Sequence, residues 1–165
     1  MPAPAADLEN TLYLDLQYGR VVIELRPDLA PNHVARIKEL VRQGYYDGIV
    51  FHRVIPGFMA QTGDPTGTGS GGSGQNIAAE FSQEPHVRGT VSMARTPDPD
   101  SADSQFFICF ADATFLDGQY TVWGKVVEGM EFVDQIAKGD EANNGIVPEA
   151  QRDRIVKMQV AADAP

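Results

Sequence analysis

Two stretches carry residue types that bind phosphate or calcium in other proteins. Residues 67–74 are glycines and hydroxyl residues, as in a phosphate-binding loop, but no Lys-Ser or Lys-Thr follows and no helix pattern opens behind them. Asp98, Asp100 and Asp103 are spaced like the start of a calcium loop, yet its glycine and closing glutamate are missing. We interpret both stretches as flexible surface loops and expect no metal site.

Histidines and cysteine are the other candidates for ligands or nucleophiles. His33, His52 and His86 lack the paired spacing of a metal site, so they are interpreted as ordinary surface or core residues. Cys109 is the only cysteine, which excludes an internal disulfide, and its apolar neighbours indicate a half-buried structural position on a strand. No Ser, His and Asp combination is evident, although such triads are defined by geometry.

Residues 104–110 are predicted to form a strand with two different faces. A two-residue period puts Gln105, Phe107 and Cys109 on one face and the intervening apolar residues on the other. One face can therefore line a groove while the other packs against the core.

Apolar residues alternate in the same way near the start of the chain. The alternation covers residues 12–16 and residues 20–25, with Tyr18-Gly19 between them, which predicts an antiparallel hairpin. Short apolar runs with turn signals follow between residues 50 and 110, and a last strand is predicted at residues 154–160. The pattern is mainly β and is typical of a barrel or sandwich.

Two helices are predicted far apart in the sequence. The first spans Ala30 to Val41, because Pro31 suits a first helical turn and Gly44 suits the position just past the end. The second spans Met130 to Lys138, where apolar residues form a stripe that ends at Gly139. This wide separation differs from the regular alternation of a parallel α/β sheet.

Composition and charge exclude several classes of partner. The chain has 165 residues, a net charge of −10, 42% hydrophobic residues and 22% charged residues, which is typical of one soluble globular domain. Such a charge repels nucleic acid and anionic membranes. The first residues lack the features of a signal peptide, and no run approaches a membrane span, so we expect a cytoplasmic protein.

Residues 51–64 read FHRVIPGFMAQTGD, which closely resembles the signature of the cyclophilin family. Three further segments resemble the family in the right order: SMAR at 92–95, SQFFI at 104–108 and LDGQYTVWGKV at 116–126. The resemblance covers residues 11–160. It implies a closed eight-stranded antiparallel β-barrel capped by two α-helices, as a single domain over residues 1–165 with short flexible tails. It also implies isomerisation of X-Pro bonds without cofactor, metal or covalent intermediate.

The chemistry of that reaction explains why an arginine is useful. Rotation about an X-Pro bond faces a barrier of about 18–20 kcal/mol, because the nitrogen lone pair is delocalised into the carbonyl. In the twisted state the lone pair is localised and accepts a hydrogen bond, so a fixed guanidinium binds that state better than either planar isomer. Arg53 is the matching family position, and we expect it to contact Gln61 as well.

The resemblance also implies roles for other residues. Phe107 is the floor of the proline pocket, apolar walls and polar groups surround it, and backbone groups hold the peptide as an added strand. The catalytic residues implied are Arg53, Gln61 and Phe107. The substrate-binding residues implied are Phe58, Met59, Ala94, Arg95, Gln105, Phe115, Leu116 and Tyr120.

The sequence departs from the best-known eukaryotic pattern at the groove. Arg95 stands where asparagine is common, Phe115 replaces a tryptophan that helps to hold cyclosporin, and Tyr120 replaces a histidine. These choices resemble bacterial cyclophilins. They are compatible with proline isomerisation and predict weak cyclosporin binding.

Three functions remain open from the sequence. The first is an isomerase for proline-containing peptides and for unfolded or loop segments of proteins, acting as a monomer that assists folding. The second is a module that binds a proline-containing partner and turns it over only incidentally. The third is a hydrolase, for which no nucleophile motif is visible.

Overall fold

The computed structural model of the chain describes residues 5–164. The flexible N-terminal tail predicted above includes residues 1–4, which lie outside the described residues. The strands are β1 (Thr11–Leu16), β2 (Gly19–Leu25), β3 (Arg53–Ile55), β4 (Met59–Thr62), β5 (Thr90–Met93), β6 (Phe106–Cys109), β7 (Val122–Glu128) and β8 (Lys157–Val160). The helices are α1 (Pro31–Arg42) and α2 (Met130–Val133), with short 3₁₀ helices between elements.

The strands form one antiparallel sheet in the order β3-β4-β6-β5-β7-β2-β1-β8. The predicted hairpin is present as β1 and β2, in which Leu12 pairs with Ile23 and Leu14 with Val21. These four side chains are fully buried, as their alternation predicts. The mainly β architecture with eight antiparallel strands and two helices is therefore confirmed.

The barrel is open along one seam, which corrects the prediction of a closed barrel. The ladder of paired strands ends at β3 and β8, which do not pair with each other. Pairing falls instead on the residues before these strands: Phe51 N–H donates to Asp153 O at 2.9 Å, and Ile155 N–H donates to Ile49 O at 2.8 Å. The segments that precede β3 and β8 are irregular. They are therefore joined by a few hydrogen bonds and not by a continuous β-ladder.

Helix α1 confirms the first helix prediction. Pro31 is its first residue, and Gly44 lies just past its end with φ of 71°, a conformation that glycine adopts without strain. The face that carries Val34, Ile37 and Val41 is buried, and α1 contacts β8.

Helix α2 is shorter than predicted. It ends at Val133, residues 134–136 continue as a turn and bend, and residues 137–138 are irregular. The Ala137 N–H donates to the Asp153 carboxylate at 2.7 Å instead of to a carbonyl one helical turn earlier, so the helical pattern stops. The predicted stripe still faces inward, because Val133 and Ile136 are buried. Within residues 5–164 no helix has the length and apolar content needed to span a membrane.

The two ends of the described chain lie together. Residues 5–10 and residues 161–163 form 3₁₀ helices that contact each other. Arg42 at the end of α1 joins them, since its guanidinium donates to Glu9 at 2.8 Å and to Asp163 at 2.9 Å.

Apolar side chains form two clusters on opposite sides of part of the sheet. The main core fills the barrel and includes Phe106 and Ile108 of β6 and Trp123 of β7. A smaller cluster includes Phe107 and Cys109 of the same strand β6. The predicted division of this strand into two faces is confirmed, and the smaller cluster is the base of the groove described below.

Asp153 connects three parts of the fold near the seam. Its side chain is almost fully buried and accepts hydrogen bonds from Gln17 Nε2 at 2.5 Å, Tyr18 Oη at 2.9 Å and Ala137 N at 2.7 Å. Its carbonyl accepts the seam bond from Phe51. The carboxylate thus joins the β1–β2 turn to the end of α2, and the main chain of the same residue holds the seam.

We expect Asp153→Ala to lower the free energy of unfolding by about 3 kcal/mol, because buried donors lose their acceptor. Asp153→Asn should lose about 1 kcal/mol, since its amide oxygen still accepts. Urea denaturation at pH 7 measures both changes. Asp112→Ala, at an exposed carboxylate, is the control and should change stability by about 0.5 kcal/mol or less. Equal losses in Asp153→Ala and Asp112→Ala would contradict this role.

Candidate active site

Strand register aligns the three predicted catalytic residues in one row. Arg53 of β3 pairs with Gln61 of β4, and Gln61 pairs with Phe107 of β6. Ser92 of β5 continues the row, because it pairs with Phe107. Directly paired residues project from the same face of a sheet, so these side chains are neighbours by construction.

A cavity of about 310 Å³ lies over this row. All but one of the predicted site residues line it, and Gln105 lines the adjoining cavity. The lining residues are Arg53, Phe58, Met59, Gln61, Ala94, Arg95, Phe107, Phe115, Leu116 and Tyr120. The sequence prediction of which residues come together is thus matched by the geometry.

Phe107 forms the base of this cavity. Its side chain is almost fully buried and packs in the smaller cluster with Met59 and Leu116. The Tyr120 ring meets the Phe107 ring edge-on, with 5.8 Å between centroids. Phe115 lies at the rim, where it is 67% exposed and contacts the ring of Phe58 at 5.5 Å between centroids. The cavity is therefore apolar at its base and open at its rim.

Phe58 reaches the cavity because it lies in a turn rather than on β4. Alternation along a strand would direct Met59 and Phe58 to opposite faces. The turn at residues 55–58 is closed by a hydrogen bond from Phe58 N–H to Ile55 O at 3.0 Å, and Gly57 has φ of 72°. Strand β4 begins only at Met59, so both side chains line the same cavity.

Arg53 is held at the edge of the cavity by three hydrogen bonds. Its Nη1 donates to Gln61 Oε1 at 3.1 Å, its Nε to Asn144 O at 3.0 Å and its Nη2 to Asn144 Oδ1 at 3.1 Å. The side chain is half-buried, and this burial lowers the pKa of the guanidinium from its ordinary value. Arginine nevertheless stays protonated in proteins. The site therefore has a permanent cation of fixed orientation.

A line of amides continues from Arg53 toward the glycine-rich loop. Gln61 Nε2 donates to Gln105 Oε1 at 2.9 Å. Gln105 Nε2 in turn donates to Gly69 O at 2.9 Å and to Gly71 O at 3.0 Å. Because Gln61 must accept from Arg53, both amide orientations are fixed by the network. The polar wall of the groove is therefore pre-organised.

Arg95 lines both cavities, as Gln61 and Ala94 also do. Its guanidinium carbon lies 4.9 Å from the centroid of the Tyr120 ring and 5.6 Å from that of Phe81. Its Nε donates to Gln119 O at 2.9 Å. The arginine is thus held between two rings, a cation–π arrangement. The second cavity, of about 470 Å³, is lined by Gln105, residues 69–72 and Asp103 among others.

Ser92, His86 and Asp117 make a hydrogen-bonded triad that spacing did not reveal. His86 Nδ1 lies 3.0 Å from Asp117 Oδ1, and His86 Nε2 lies 2.9 Å from Ser92 Oγ. Burial lowers the pKa of His86, although Asp117 raises it. The Ser92 hydroxyl donates to Thr121 O at 3.0 Å, so its oxygen is the acceptor in the contact with His86 Nε2. Ser92 is fully buried, so no scissile carbonyl reaches it, and this triad gives no support to a hydrolase.

The triad instead supports the base of the cavity. The His86 ring stacks on the Phe107 ring, with 6.1 Å between centroids and 18° between planes. The His86 carbonyl accepts a hydrogen bond from Ala113 N at 2.9 Å, at the start of the loop that carries Phe115 and Leu116. His86 therefore contributes both to the floor and to the wall.

The other histidines are core residues, one of the two positions predicted for them, and the cysteine is more buried than predicted. His33 and His52 are fully or almost fully buried, and His33 Nδ1 lies 2.6 Å from Glu80 Oε1. Cys109 is fully buried, not half-buried. Burial, with the nearby charge of Asp117, raises the pKa of the Cys109 thiol to about 12, so it is not a nucleophile at neutral pH.

The glycine-rich stretch is organised by the carboxylate of Asp64. Asp64 is fully buried and accepts hydrogen bonds from Thr66 N at 2.7 Å, Gly69 N at 2.6 Å and Gly71 N at 3.1 Å. Burial raises the pKa of this carboxyl, but these bonds and that from the Thr66 hydroxyl outweigh it and lower the pKa to about 2. An ionised acid thus shapes the loop that receives Gln105.

The acidic run also holds loops together. Asp103 accepts from Ser73 N at 2.8 Å and Asp100 from Ala79 N at 2.9 Å. Asp98 accepts from Asp100 N at 2.9 Å. Across residues 5–164 no cluster of three or more histidine, cysteine or acidic side chains is arranged to hold a metal ion.

Asn144 is another residue of this site that the sequence reasoning missed. It lies 91 positions from Arg53, so no local spacing connects the two. The one available signal was the dipeptide Asn144-Gly145, which favours a turn with positive φ. That signal predicts the backbone conformation of the turn, but it does not indicate that Asn144 contacts Arg53.

The sequence profile described as "Cyclophilin type peptidyl-prolyl cis-trans isomerase/CLD" matches residues 11–160. A "Probable peptidyl-prolyl cis-trans isomerase" of Brucella suis is 58% identical over 173 residues, covering 98% of this chain and 87% of that protein. The peptidyl-prolyl cis-trans isomerase B of Bacillus subtilis is 44% identical over 134 residues, covering 79% of this chain and 93% of that protein.

Solved structures share the fold. A cyclophilin from Hirschia baltica superposes with a TM-score of 0.84 at 31% identity, covering 96% of this chain and 76% of that one. A cyclophilin-type isomerase from Cryptosporidium parvum, crystallised in the presence of the dipeptide Ala-Pro, superposes with a TM-score of 0.81 at 29% identity. That superposition covers 91% of this chain and 98% of the parasite protein.

The Asp64 carboxylate predicts a pH-dependent stability. Its pKa in the folded protein, about 2, lies below the unfolded value near 3.8. Ionised Asp64 therefore contributes about 2 kcal/mol above a pH of about 4 and loses this as the pH falls to about 2. We expect the stability gap between wild type and Asp64→Asn to shrink by that amount over this range in urea denaturation. Asp112→Asn is the control, and a gap independent of pH would contradict the assignment.

Proposed function

Because the chain belongs to the cyclophilin-type peptidyl-prolyl cis-trans isomerase family, its activity is the isomerisation of prolyl peptide bonds, and we propose which residues perform it. The observation that carries the proposal is the guanidinium of Arg53, fixed beside an apolar cavity by Gln61 and Asn144. The reaction requires a rotation only, so no bond breaks and no proton has to be transferred.

Arg53 is the catalytic donor in this proposal. When the prolyl amide twists, its nitrogen loses conjugation and becomes a hydrogen-bond acceptor. A guanidinium N–H aimed at that nitrogen is used in the transition state and not in the planar ground states, which is the condition for faster turnover. Because Arg53 is already ordered and partly desolvated, little reorganisation is needed when the bond twists.

The proline ring occupies the apolar cavity. Phe107 and Met59 form its base, and Leu116 and Phe58 form its sides. Burial of the ring holds the proline side of the X-Pro bond in place. The carbonyl group of the preceding residue then rotates about that bond while Arg53 stays fixed beside it. Gln61 orients Arg53, as the hydrogen bond between them supports.

The peptide chain runs along the groove beyond the proline. Ala94 and Arg95 follow the end of β5 and line the wall, and their main chain is suited to pair with an extended peptide. Gln105 and Tyr120 contact the peptide on either side of Arg95. The Ala-Pro dipeptide present with the C. parvum relative supports proline-containing substrates of this kind.

Unfolded chains and exposed loops are the natural substrates for such a groove. The groove is open at its rim, and its apolar cavity recognises mainly the proline ring. We also propose that residues 1–165 form one domain, that the protein is a cytoplasmic monomer that assists folding, and that it binds cyclosporin weakly. The net charge of −10 supports the absence of nucleic-acid and membrane partners.

We expect Arg53→Ala to lower kcat about 100-fold, equivalent to about 2.7 kcal/mol of transition-state stabilisation. The Kd of a proline peptide should change by no more than about threefold, because the bond to nitrogen forms only in the twisted state. Arg53→Lys should restore little, since an ammonium does not reproduce the fork that holds Asn144 and Gln61. Two-dimensional NMR exchange on one peptide measures rate and affinity together.

Arg20→Ala is the matched control, because Arg20 is a surface arginine paired with Asp15. It should leave both quantities within about twofold of wild type. A proportional loss of affinity and rate in Arg53→Ala would make the arginine a ground-state contact and would favour the binding-module hypothesis.

Phe115 tests the cyclosporin expectation. We expect Phe115→Trp to tighten cyclosporin binding about tenfold, because indole adds apolar area and an N–H donor at the exposed rim. Calorimetric titration with the drug measures the change. Phe81→Trp changes the other exposed phenylalanine near Arg95 and serves as the control. An unchanged Kd in Phe115→Trp would mean that this position does not limit drug binding.

A further inference from the structure

Asn144 supplies two of the three acceptors that hold Arg53. Its carbonyl oxygen accepts from Nε at 3.0 Å and its side-chain Oδ1 accepts from Nη2 at 3.1 Å. These two donors form one edge of the guanidinium group, so a single residue binds that edge through two hydrogen bonds. Gln61 Oε1 accepts one hydrogen bond from Nη1. Nη1 and Nη2 therefore each keep one N–H for another acceptor.

The backbone conformation of Asn144 makes this bidentate contact with Arg53 possible. Asn144 has φ of 57° and ψ of 25°, and it is the one non-glycine residue with positive φ in the described chain. In this left-handed conformation the carbonyl and the short side chain reach the same partner. Asparagine tolerates the conformation better than most residues, whereas an alanine there is strained by about 1 kcal/mol. A conformation of this kind persists when its surroundings enforce it.

The loop that carries Asn144 is fastened to strand β3. Val54 N–H donates to Gly145 O at 2.7 Å, and Gly139 N–H donates to Val54 O at 2.9 Å. Gly145 packs closely against this strand, because a Cβ there would collide with Ile55 Cγ1. The loop is thus in fixed register with the strand that carries Arg53, so Asn144 and the guanidinium are held in one rigid unit.

We propose that Asn144 is a positioning residue for isomerisation: it aims the remaining N–H groups of Arg53 at the prolyl nitrogen. The inference rests on the proposed catalytic role of Arg53. An arginine side chain loses up to about 2 kcal/mol of rotamer entropy when it is fixed. Asn144 fixes it before the substrate arrives, so removing this contact slows the twist without weakening the planar complex.

Two substitutions separate the side-chain contact from the backbone conformation. Asn144→Gly keeps positive φ and the carbonyl acceptor but deletes Oδ1, and it should lower kcat about 5-fold to 10-fold. Asn144→Ala also strains the left-handed conformation and should lower kcat further. Asn144→Asp keeps Oδ1 and the conformation and should stay within about threefold of wild type. Kd for the proline peptide should be unchanged in all three.

The control is Asn143→Gly, which makes the same change at the neighbouring exposed position of this loop and should not alter kcat. Because Asn144 acts through Arg53, the double variant Arg53→Ala with Asn144→Gly should be no slower than Arg53→Ala alone. NMR of the Arg53 Nη2–H signal gives an independent readout, because this group donates to Asn144 Oδ1: its exchange with water should be faster in Asn144→Gly and normal in Asn143→Gly.

Three results would overturn the proposal. They are unchanged kcat in Asn144→Gly, a rise in Kd that matches its loss of rate, and additive losses in the double variant. In each of these cases a 100-fold loss in Arg53→Ala alone would leave the proposed function standing. Retention of full turnover by Arg53→Ala would instead remove the proposed chemistry itself.

Discussion

The register of β3, β4 and β6 is the constraint on which the site depends. It makes Arg53, Gln61 and Phe107 direct cross-strand neighbours, so a cation, an amide and an aromatic ring come together without any long loop to bring them there. A slip of one residue in any of these pairings would turn the row toward the core. The core residues that alternate with the row, such as Phe106, therefore protect the geometry of the groove as well as stability.

Much of the fold and of the groove follows from local pattern. Alternation identified the first hairpin and the two faces of β6, and Pro31 with Gly44 marked the ends of α1. The groove residues became predictable only through the long signature at 51–64, because single residues such as Phe115 carry no local mark of a binding role.

The parts that sequence reasoning missed are those fixed by contacts between distant residues. The N–H of Ala137 is taken by Asp153, which shortens α2 and has no counterpart in a helical pattern. The open seam depends on which residues precede β3 and β8. Asn144 and His86 act through partners separated from them in the chain, so their roles are visible only once the strands are in register.

The burial of Cys109 has a consequence for the settings in which the protein functions. Its thiol is fully enclosed beneath the groove and its pKa is raised to about 12, so almost no thiolate is available to peroxide or to alkylating reagents. As the chain has no other cysteine, neither sulfenylation nor intermolecular disulfide formation has an accessible starting point. The folded protein is therefore insensitive to oxidants at its sulfhydryl.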